Sequence, residues 1–223
     1  MGSKIEARRL AAEARVPIIP GFSDSQEPDD LAAAAERIGY PVLVKAAAGG
    51  GGKGIRIAET PAHFAHALSE AVTEATRSFG DGRVIVERYI TRPRHVEVQV
   101  VGDGERVVHL WDRECSLQRQ RQKLVEIAPA FGLSNEIRTA MLESAQRIAL
   151  AANYEGVGTI EFLVGADDQG VDRFVFMEAN ARLQVEHTVT EEVTGLDLVA
   201  LQLRLAGGDN LDEIALTQDL IGE

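Results

Sequence analysis

Two glutamates of the chain lie inside strongly apolar segments. Glu161 is part of TIEFLV, and Glu178 is part of FVFMEAN, two residues before Asn180. Burying a carboxylate without a partner is costly, and two carboxylates that share a site repel each other. A divalent cation resolves both problems, because two carboxylates and an amide oxygen suit Mg²⁺ or Mn²⁺. The pattern favours a metal site that nucleotide phosphates complete, with acids on a solvated sheet face as the alternative.

A glycine-rich tract lies upstream of these acids, between two predicted strands. Glycine amides can point together at one spot and hold phosphate oxygens. The tract matches neither the G-x-x-x-x-G-K-[ST] phosphate loop nor the dinucleotide fingerprint, because no Ser or Thr follows its Lys53 and no helix follows the tract. We interpret it as a hairpin that closes over a polyphosphate, with an exposed flexible turn as the alternative. Its glycines are Gly49, Gly50, Gly51, Gly52 and Gly54.

A lysine precedes the tract by four residues, inside the apolar segment VLVKA. An unpaired ammonium is costly in a buried strand, so Lys45 needs an anionic partner. The neighbouring glycines favour a phosphate in that role. An internal salt bridge to a carboxylate is the alternative.

Basic residues are concentrated in the second half of the chain, where they alternate with glutamines. Such a local concentration can bind a small anion even in an acidic protein. A solvated surface loop is the alternative. The residues are Arg113, Arg119, Arg121 and Lys123, and then Arg182 with Gln184, Glu186 and His187 close by.

The composition is that of a globular protein with an acidic surface. The chain has 223 residues, of which 45% are hydrophobic and 26% charged, which excludes intrinsic disorder and predicts one or two domains. Its net charge of −12 argues against binding to duplex DNA or an anionic membrane. The sequence shows neither a membrane-length apolar run nor the apolar core of a signal peptide. The single cysteine, Cys115, fits packing in a reducing compartment, so a cytoplasmic protein is expected.

Hydrophobic periodicity predicts an alternation of helices and strands, followed by hairpins that pack with helices. Helices are predicted at 3–14, 28–38, 61–78, 134–153 and 196–206. Strands are predicted at 41–46, 55–58 and 84–89, and hairpins at 95–112 and 158–180. Ser3 and Glu6 match a capping box, whereas residues 113–130 and 181–192 show no clear period. This order predicts an α+β fold with at least two lobes.

Four stretches of the chain resemble the ATP-grasp domain of the biotin carboxylase family. They are MGSKIEARRLAAEARVPIIPG, YPVLVKAAAGGGGKGIRI, RHVEVQVVGDG with CSLQRQRQK, and GTIEFL with FMEANARLQVEHTVTEEVTG. They follow the family's order and cover nearly the whole chain. The resemblance implies an ATP-grasp fold whose two lobes of antiparallel sheets and helices hold the nucleotide between them. It also implies a small lid subdomain at about 22–90 and a larger catalytic subdomain at about 91–223, incomplete at its C-terminus.

The resemblance also implies roles for individual positions. The nucleotide-binding positions of the family correspond to Lys4, Lys45, the glycine tract, Glu87, Ile90, His95 and Gln118. Its metal positions correspond to Glu161, Glu178 and Asn180, in agreement with the separate inference from the apolar strands. Its bicarbonate pocket corresponds to Lys123, Arg182, Gln184, Val185 and Glu186, and Glu186 would be the general base.

The implied reaction has two halves. Bicarbonate attacks the γ-phosphate of ATP to form carboxyphosphate, which then carboxylates biotin on a carrier domain, and a carboxyltransferase uses the product. Neither nucleic acid nor a membrane is an expected partner. The family has a domain before the position of Lys4 and a C-terminal segment with a further arginine. The chain is therefore expected to be part of a longer carboxylase, and by itself to hydrolyse ATP slowly and leave free biotin unmodified.

The chain departs from the family's pattern at a few positions around the implied bicarbonate rim. Gln120 stands where Arg is usual, Arg121 where His or Asn is common, and Ala181 where Thr or Pro is common. Arg88 replaces a common lysine. Two other functions stay open: a nucleotide-binding module without turnover, and an ATP-grasp ligase that joins a carboxylate to an amine. The EHTVTE and QRQRQK stretches argue against the ligase.

Overall fold

The computed structural model describes residues 3–49, 54–166 and 172–221. The helices are α1 (Lys4–Glu13), α2 (Pro28–Ile38), α3 (Pro61–Phe79), α4 (Asn135–Ala151), α5 (His187–Thr194) and α6 (Leu198–Ala206). The strands are β1 (Gly21–Phe22), β2 (Val42–Ala46), β3 (Ile55–Ala58), β4 (Val84–Arg88), β5 (Arg94–Asp103), β6 (Val107–Arg119), β7 (Gln122–Ile127), β8 (Glu155–Ala166) and β9 (Asp172–Asn180). Each helix in these parts of the chain is too short or too polar to span a bilayer. The strands form two antiparallel sheets, which confirms the predicted α+β class.

The smaller sheet has the strand order β1-β4-β2-β3, and α2 and α3 cover one of its faces. Phe64, Leu68 and Ala71 recur on α3 at the spacing of one helix face, so they are buried against the sheet. Val42 and Val44 of β2 point toward these helices. Because side chains alternate along a strand, the intervening residues of β2, including Lys45, point to the opposite face.

The larger sheet has the order β7-β6-β5-β8-β9, and its central strand has two chemically different faces. Val96, Val98 and Val100 of β5 join the hydrophobic core that α1 and α4 complete. Glu97 and Gln99 point to the other face and are nevertheless buried. The period of two in the strand thus separates an apolar core from a buried polar surface.

Two regions that showed no clear period are regular in the structure. β6 and β7 form a hairpin through residues 113–127, closed by a two-residue turn in which Gln120 and Arg121 have φ of 53° and 65°. Register shifts around Leu117 break the alternation that would have indicated strands. α5 occupies much of the segment 181–192 and was missed because it is short and rich in β-branched residues.

A side-chain cap is present at α4 and absent at α1. The Ser134 hydroxyl caps α4 by accepting a hydrogen bond from the Ile137 amide at 3.3 Å. The Ser3 side chain makes no capping bond to α1, so the predicted capping box is wrong. The turn predicted between the strands of the second hairpin lies mostly outside the described residues.

Candidate active site

A cavity of about 760 Å³ lies between the polar faces of the two sheets. A volume of a few hundred to a thousand Å³ is typical of a small-molecule site. The smaller sheet lines it with β2, β3 and β4, and the larger sheet lines it with β5 to β9. The predicted residues that line it are Lys4, Lys45, Glu87, Ile90, His95, Gln118, Lys123, Glu161, Glu178, Asn180, Arg182, Gln184, Val185 and Glu186. One surface thus brings together most residues of the predicted site.

The glycine tract is only partly described. Gly49 lines a smaller neighbouring cavity of about 340 Å³ together with Lys4 and Glu178. Its carbonyl accepts a hydrogen bond from the Lys4 ammonium. Gly54 immediately precedes β3; its carbonyl accepts from the Ala46 amide at 3.0 Å, and it lines neither cavity. Gly50, Gly51 and Gly52 lie outside the described residues, so the predicted closing hairpin stays a prediction.

Three glutamates form a row across the larger sheet on the cavity side. Glu97 of β5 is the register partner of Glu161 of β8, which in turn pairs with Glu178 of β9. Like charges at directly opposite positions destabilise a sheet unless cations compensate them. Sequence reasoning found Glu161 and Glu178 but missed Glu97, although the same signal, an acid within an apolar strand, is present in HVEVQVV.

Lys123 of β7 contacts two carboxylates of this row and a third that lies outside it. Its ammonium contacts Glu97 Oε2 at 2.5 Å, Glu161 Oε1 at 3.0 Å and Glu186 Oε1 at 2.6 Å. Burial opposes the charge, but attraction by Glu161 and Glu97 raises the pKa of Lys123 above its ordinary value. Lys123 is therefore a protonated cation that holds three carboxylates at one point.

The pKa values of the three carboxylates in this row, and that of Glu186, shift in different directions. Burial and the neighbouring Glu161 raise the pKa of Glu178. Burial also raises the pKa of Glu97, although Arg113 acts against this. The pKa of Glu161 is lowered, because hydrogen bonds from His95 and Lys123 outweigh burial. The same holds for Glu186, whose pKa Lys123 lowers against the effect of burial.

His95 links Glu161 to Gln118 across the cavity wall. The Gln118 amide nitrogen lies 2.7 Å from His95 Nδ1 and also donates to the Cys115 carbonyl at 2.8 Å. This places an acceptor at Nδ1, so Nε2 carries the proton that faces Glu161 Oε2 at 2.7 Å. Cys115 is fully buried, and burial raises the pKa of its thiol, in keeping with the predicted packing role.

The residues proposed to hold a metal fit a hard divalent cation. Glu161 and Glu178 are register partners that line the cavity, and Asn180 donates through Nδ2 to Glu161 Oε1 at 2.8 Å, which leaves its amide oxygen for a cation. A second set of possible ligand atoms, on His95, Glu97 and Glu161, lie within 4.8 Å of one another. The ammonium of Lys123 already contacts both glutamates of that second set. Glu161 with Glu178 and Asn180, of which Lys123 contacts Glu161 alone, is therefore the better candidate for a metal site.

Lys45 has a carboxylate partner in the protein. Its ammonium lies 2.6 Å from Glu87 Oε2, so the internal salt bridge that the sequence left open is present. Lys45 and Glu87 both line the cavity, and the second carboxylate oxygen of Glu87 accepts from Arg8 at 3.0 Å. Lys4, at the start of α1, lies 3.7 Å from Glu178 Oε2.

The predicted concentration of basic residues is divided in the structure. Arg121, Lys123 and Arg182 line the cavity, whereas Arg113 is fully buried behind it and contacts Glu97 at 2.7 Å. Arg119 is exposed and does not line the cavity. The prediction of an anion-binding surface is thus wrong for Arg113, whose charge faces the interior.

The residues that follow β9 complete one end of the cavity. Gln184 is buried, where its Oε1 accepts from the Thr159 hydroxyl at 2.9 Å. Val185 is 90% exposed, and Arg182 donates to the Leu183 carbonyl at 3.2 Å. Glu186 stands at the N-terminus of α5.

The apolar lining of the cavity was not predicted, because isolated apolar residues in predicted strands indicate core equally well. This lining consists of Leu43, Tyr89, Leu163 and Met177.

The chain matches one protein family over most of its length. Residues 3–214 match the family model "Carbamoyl-phosphate synthase L chain, ATP binding domain". The chain is 45% identical to a pyruvate carboxylase of Aspergillus niger, over 99% of this chain and 18% of the relative. It is also 45% identical to the mitochondrial methylcrotonoyl-CoA carboxylase subunit alpha of Arabidopsis thaliana, over 95% of this chain and 29% of the relative. The chain therefore spans less than a third of these relatives.

Solved structures agree with this assignment. A biotin carboxylase from Campylobacter jejuni in complex with a β,γ-ATP ligand superposes with a TM-score of 0.91 at 42% identity, covering 99% of this chain and 48% of that one. The biotin carboxylase domain of the Hydrogenobacter thermophilus 2-oxoglutarate carboxylase, in complex with MgADP, ADP and bicarbonate, superposes with a TM-score of 0.90 at 41% identity and the same coverage. The chain belongs to the carbamoyl-phosphate synthase L chain ATP-binding domain family and is an ATP-grasp domain of the biotin carboxylase type.

Proposed function

We propose that the chain is the ATP-grasp portion of a biotin-dependent carboxylase, in which Mg·ATP and bicarbonate carboxylate biotin on a carrier domain. The MgADP and bicarbonate in the Hydrogenobacter structure support these substrates. The parent protein would also contain the carrier and a carboxyltransferase, as its similarity to pyruvate carboxylases suggests. Residues 22–90 and 91–223 would be the lid and the larger subdomain, since each sheet is confined to one of these ranges apart from Gly21.

The observation that carries this proposal is the position of Lys123. It contacts Glu161, a proposed metal ligand, and also Glu186, the proposed base. A bicarbonate held at this lysine would thus lie beside a metal-bound phosphate. Such proximity favours reaction, because phosphoryl transfer depends mainly on positioning and on neutralising the oxygens.

The nucleotide would lie with its phosphates toward the basic groups at both edges of the cavity. Lys45 enters the cavity from the smaller sheet and Lys4 enters it from α1, so the phosphates would be held from two sides. Mg²⁺, when bound at Glu161, Glu178 and Asn180, would neutralise phosphate oxygens. Ile90 and Tyr89 line the cavity where β4 ends, and they would enclose the base.

Glu186 is positioned to take the proton of bicarbonate. Its carboxylate is ionised because Lys123 lowers its pKa, so it is available as an acceptor. An anion that binds Lys123 competes for the same ammonium, which would raise the basicity of Glu186 when the substrate arrives. General base catalysis of this kind contributes about 10²–10⁴-fold.

The test is an ATPase assay of the 223-residue chain with and without bicarbonate, followed by an assay for carboxylated free biotin. We expect Mg²⁺-dependent nucleotide binding and slow hydrolysis that bicarbonate stimulates. Glu186→Gln should reduce the stimulated rate by about 10²–10⁴-fold and leave nucleotide binding intact, because an amide cannot take the proton. Glu192→Gln, an exposed acid on the same helix, is the matched control.

The other outcomes of this assay separate the alternative functions. Nucleotide binding without bicarbonate-stimulated hydrolysis would indicate a binding module. Hydrolysis that requires an added amine and a second carboxylate would indicate a carboxylate–amine ligase. An equal loss of stimulation in both variants would remove Glu186 from the role of base.

A further inference from the structure

A buried ion cluster on the smaller sheet contains one more cation than carboxylate. Glu87 accepts from Arg8 at Oε1, at 3.0 Å, and pairs with Lys45 at Oε2, at 2.6 Å. The three side chains are only 13%, 6% and 8% exposed for Arg8, Glu87 and Lys45 respectively. Each oxygen of a single carboxylate is therefore matched to its own cation.

The three groups occupy different positions relative to the cavity. Lys45 and Glu87 line it, whereas Arg8 does not. Arg8 reaches Glu87 from α1, which packs on the core of the larger sheet through Ala7 and Ala11. The arginine thus approaches the carboxylate from the protein side, and the lysine approaches it from the side on which a ligand would enter.

The backbone beside the cluster leaves room for this approach. Gly21 of β1 is the register partner of Glu87. A Cβ at Gly21 would lie 2.8 Å from Glu87 Cγ and 3.2 Å from Arg8 Nη2. A residue without a side chain is thus required for the carboxylate and the guanidinium to meet there.

We propose that Arg8 is a positioning residue for Lys45: by holding Glu87, it frees the lysine to bind the phosphates of the nucleotide. This inference rests on the proposed function. When Lys45 turns toward an entering phosphate, Glu87 loses that partner, and a buried carboxylate without a partner is costly. Arg8 remains on the other oxygen and keeps Glu87 compensated. Without Arg8, Lys45 and Glu87 form a one-to-one pair that opposes binding of the anion.

The test compares ligands with and without phosphates. Dissociation constants of Mg·ATP, inorganic triphosphate and adenosine are measured by calorimetry for the chain and for Arg8→Met. We expect ATP and triphosphate to bind about tenfold more weakly to the variant, equivalent to about 1.4 kcal/mol, and adenosine to bind equally well to both. Arg8→Lys, which keeps the charge, should recover most of the loss. Arg9→Met removes an exposed arginine of the same helix and should change nothing.

The double variant Arg8→Met with Glu87→Gln isolates the carboxylate. Once Glu87 is neutral, loss of Arg8 should no longer weaken triphosphate binding relative to Glu87→Gln alone. If Arg8→Met does not fold, Arg8→Gln, with an uncharged amide that still donates, replaces it in every comparison.

An equal loss for adenosine and ATP, or no loss for ATP, overturns the role of Arg8. The same conclusion follows if the loss persists in the Glu87→Gln background. Failure of the unmodified chain to bind ATP at all overturns the proposed function and this inference with it. Normal ATP binding by Arg8→Met overturns this inference alone.

Discussion

Two of the lysines that line the cavity, Lys123 and Lys45, are embedded in clusters of opposite charge balance. On the larger sheet, Lys123 and the buried Arg113 are shared among the carboxylates of Glu97, Glu161 and Glu186. On the smaller sheet, one carboxylate is shared by two cations. The first cluster has an excess of negative charge and favours a cation, and the second has an excess of positive charge and favours an anion. A metal–polyphosphate complex provides both, which is why one ligand class suits the whole cavity.

Removal of Lys123 from the negative cluster should have the largest effect, and the effect is on stability. Lys123→Met leaves three partly or fully buried carboxylates without their shared cation, so we expect the free energy of unfolding to fall by about 3–5 kcal/mol. Chemical denaturation at neutral pH measures the change. Arg119→Met, at the exposed end of the same hairpin, should change stability by no more than about 0.5 kcal/mol. Equal effects of the two variants would contradict the central place of Lys123.

Glu178→Gln tests the proposed metal site, which shares Glu161 with the negative cluster. We expect the Mg²⁺ concentration needed for nucleotide binding to rise by at least about tenfold, because a neutral amide is a poorer ligand than a carboxylate. Titration of Mg²⁺ at fixed ATP measures the shift. Glu59→Gln, an exposed acid outside the cavity, provides the control. An unchanged titration for Glu178→Gln would remove this residue from the metal site.

The smallest expected effect at neutral pH comes from a histidine outside both clusters, whose titration has to be separated from theirs in any comparison over pH. Burial lowers the pKa of His109 from 6.5 to about 4. Its contribution to stability is therefore fully present above pH 6.5 and is lost as the pH falls toward 4. In His109→Gln, the free energy of unfolding should decrease less over this range than in the unmodified chain. Parallel curves for the two proteins would show that His109 does not titrate as described.

The parts of the site that could be predicted depend on signals within a few residues. Glu161 and Lys45 were recognised because a charge inside an apolar strand is a local anomaly. The partner of Lys45 was not, since Glu87 is brought beside it only by the pairing of β2 with β4. Arg8 gave no signal at all, because an arginine on a short amphipathic helix is usually exposed. Its burial depends on where α1 lies on the larger sheet.

The fold shows the same limit. Helices with a clear apolar face, such as α2 and α3, were predicted almost to the residue. The β6–β7 hairpin was missed because register shifts interrupt its alternation and its exposed residues include Leu117 and Val125. Register shifts within a hairpin and the long-range pairing of β2 with β4 both leave little trace in a local pattern.

The two-faced strand β5 has a consequence for how this gene can change. Substitutions at Val96, Val98 and Val100 would be limited by packing in the core. Substitutions at Glu97 and Gln99 would be limited by the chemistry of the site. The loss or gain of a single codon within the strand would exchange the two faces, placing Glu97 in the core and Val96 or Val98 in the site. Length polymorphism should therefore be absent from this strand among functional variants, and a deep mutational scan should show tolerance that alternates with a period of two.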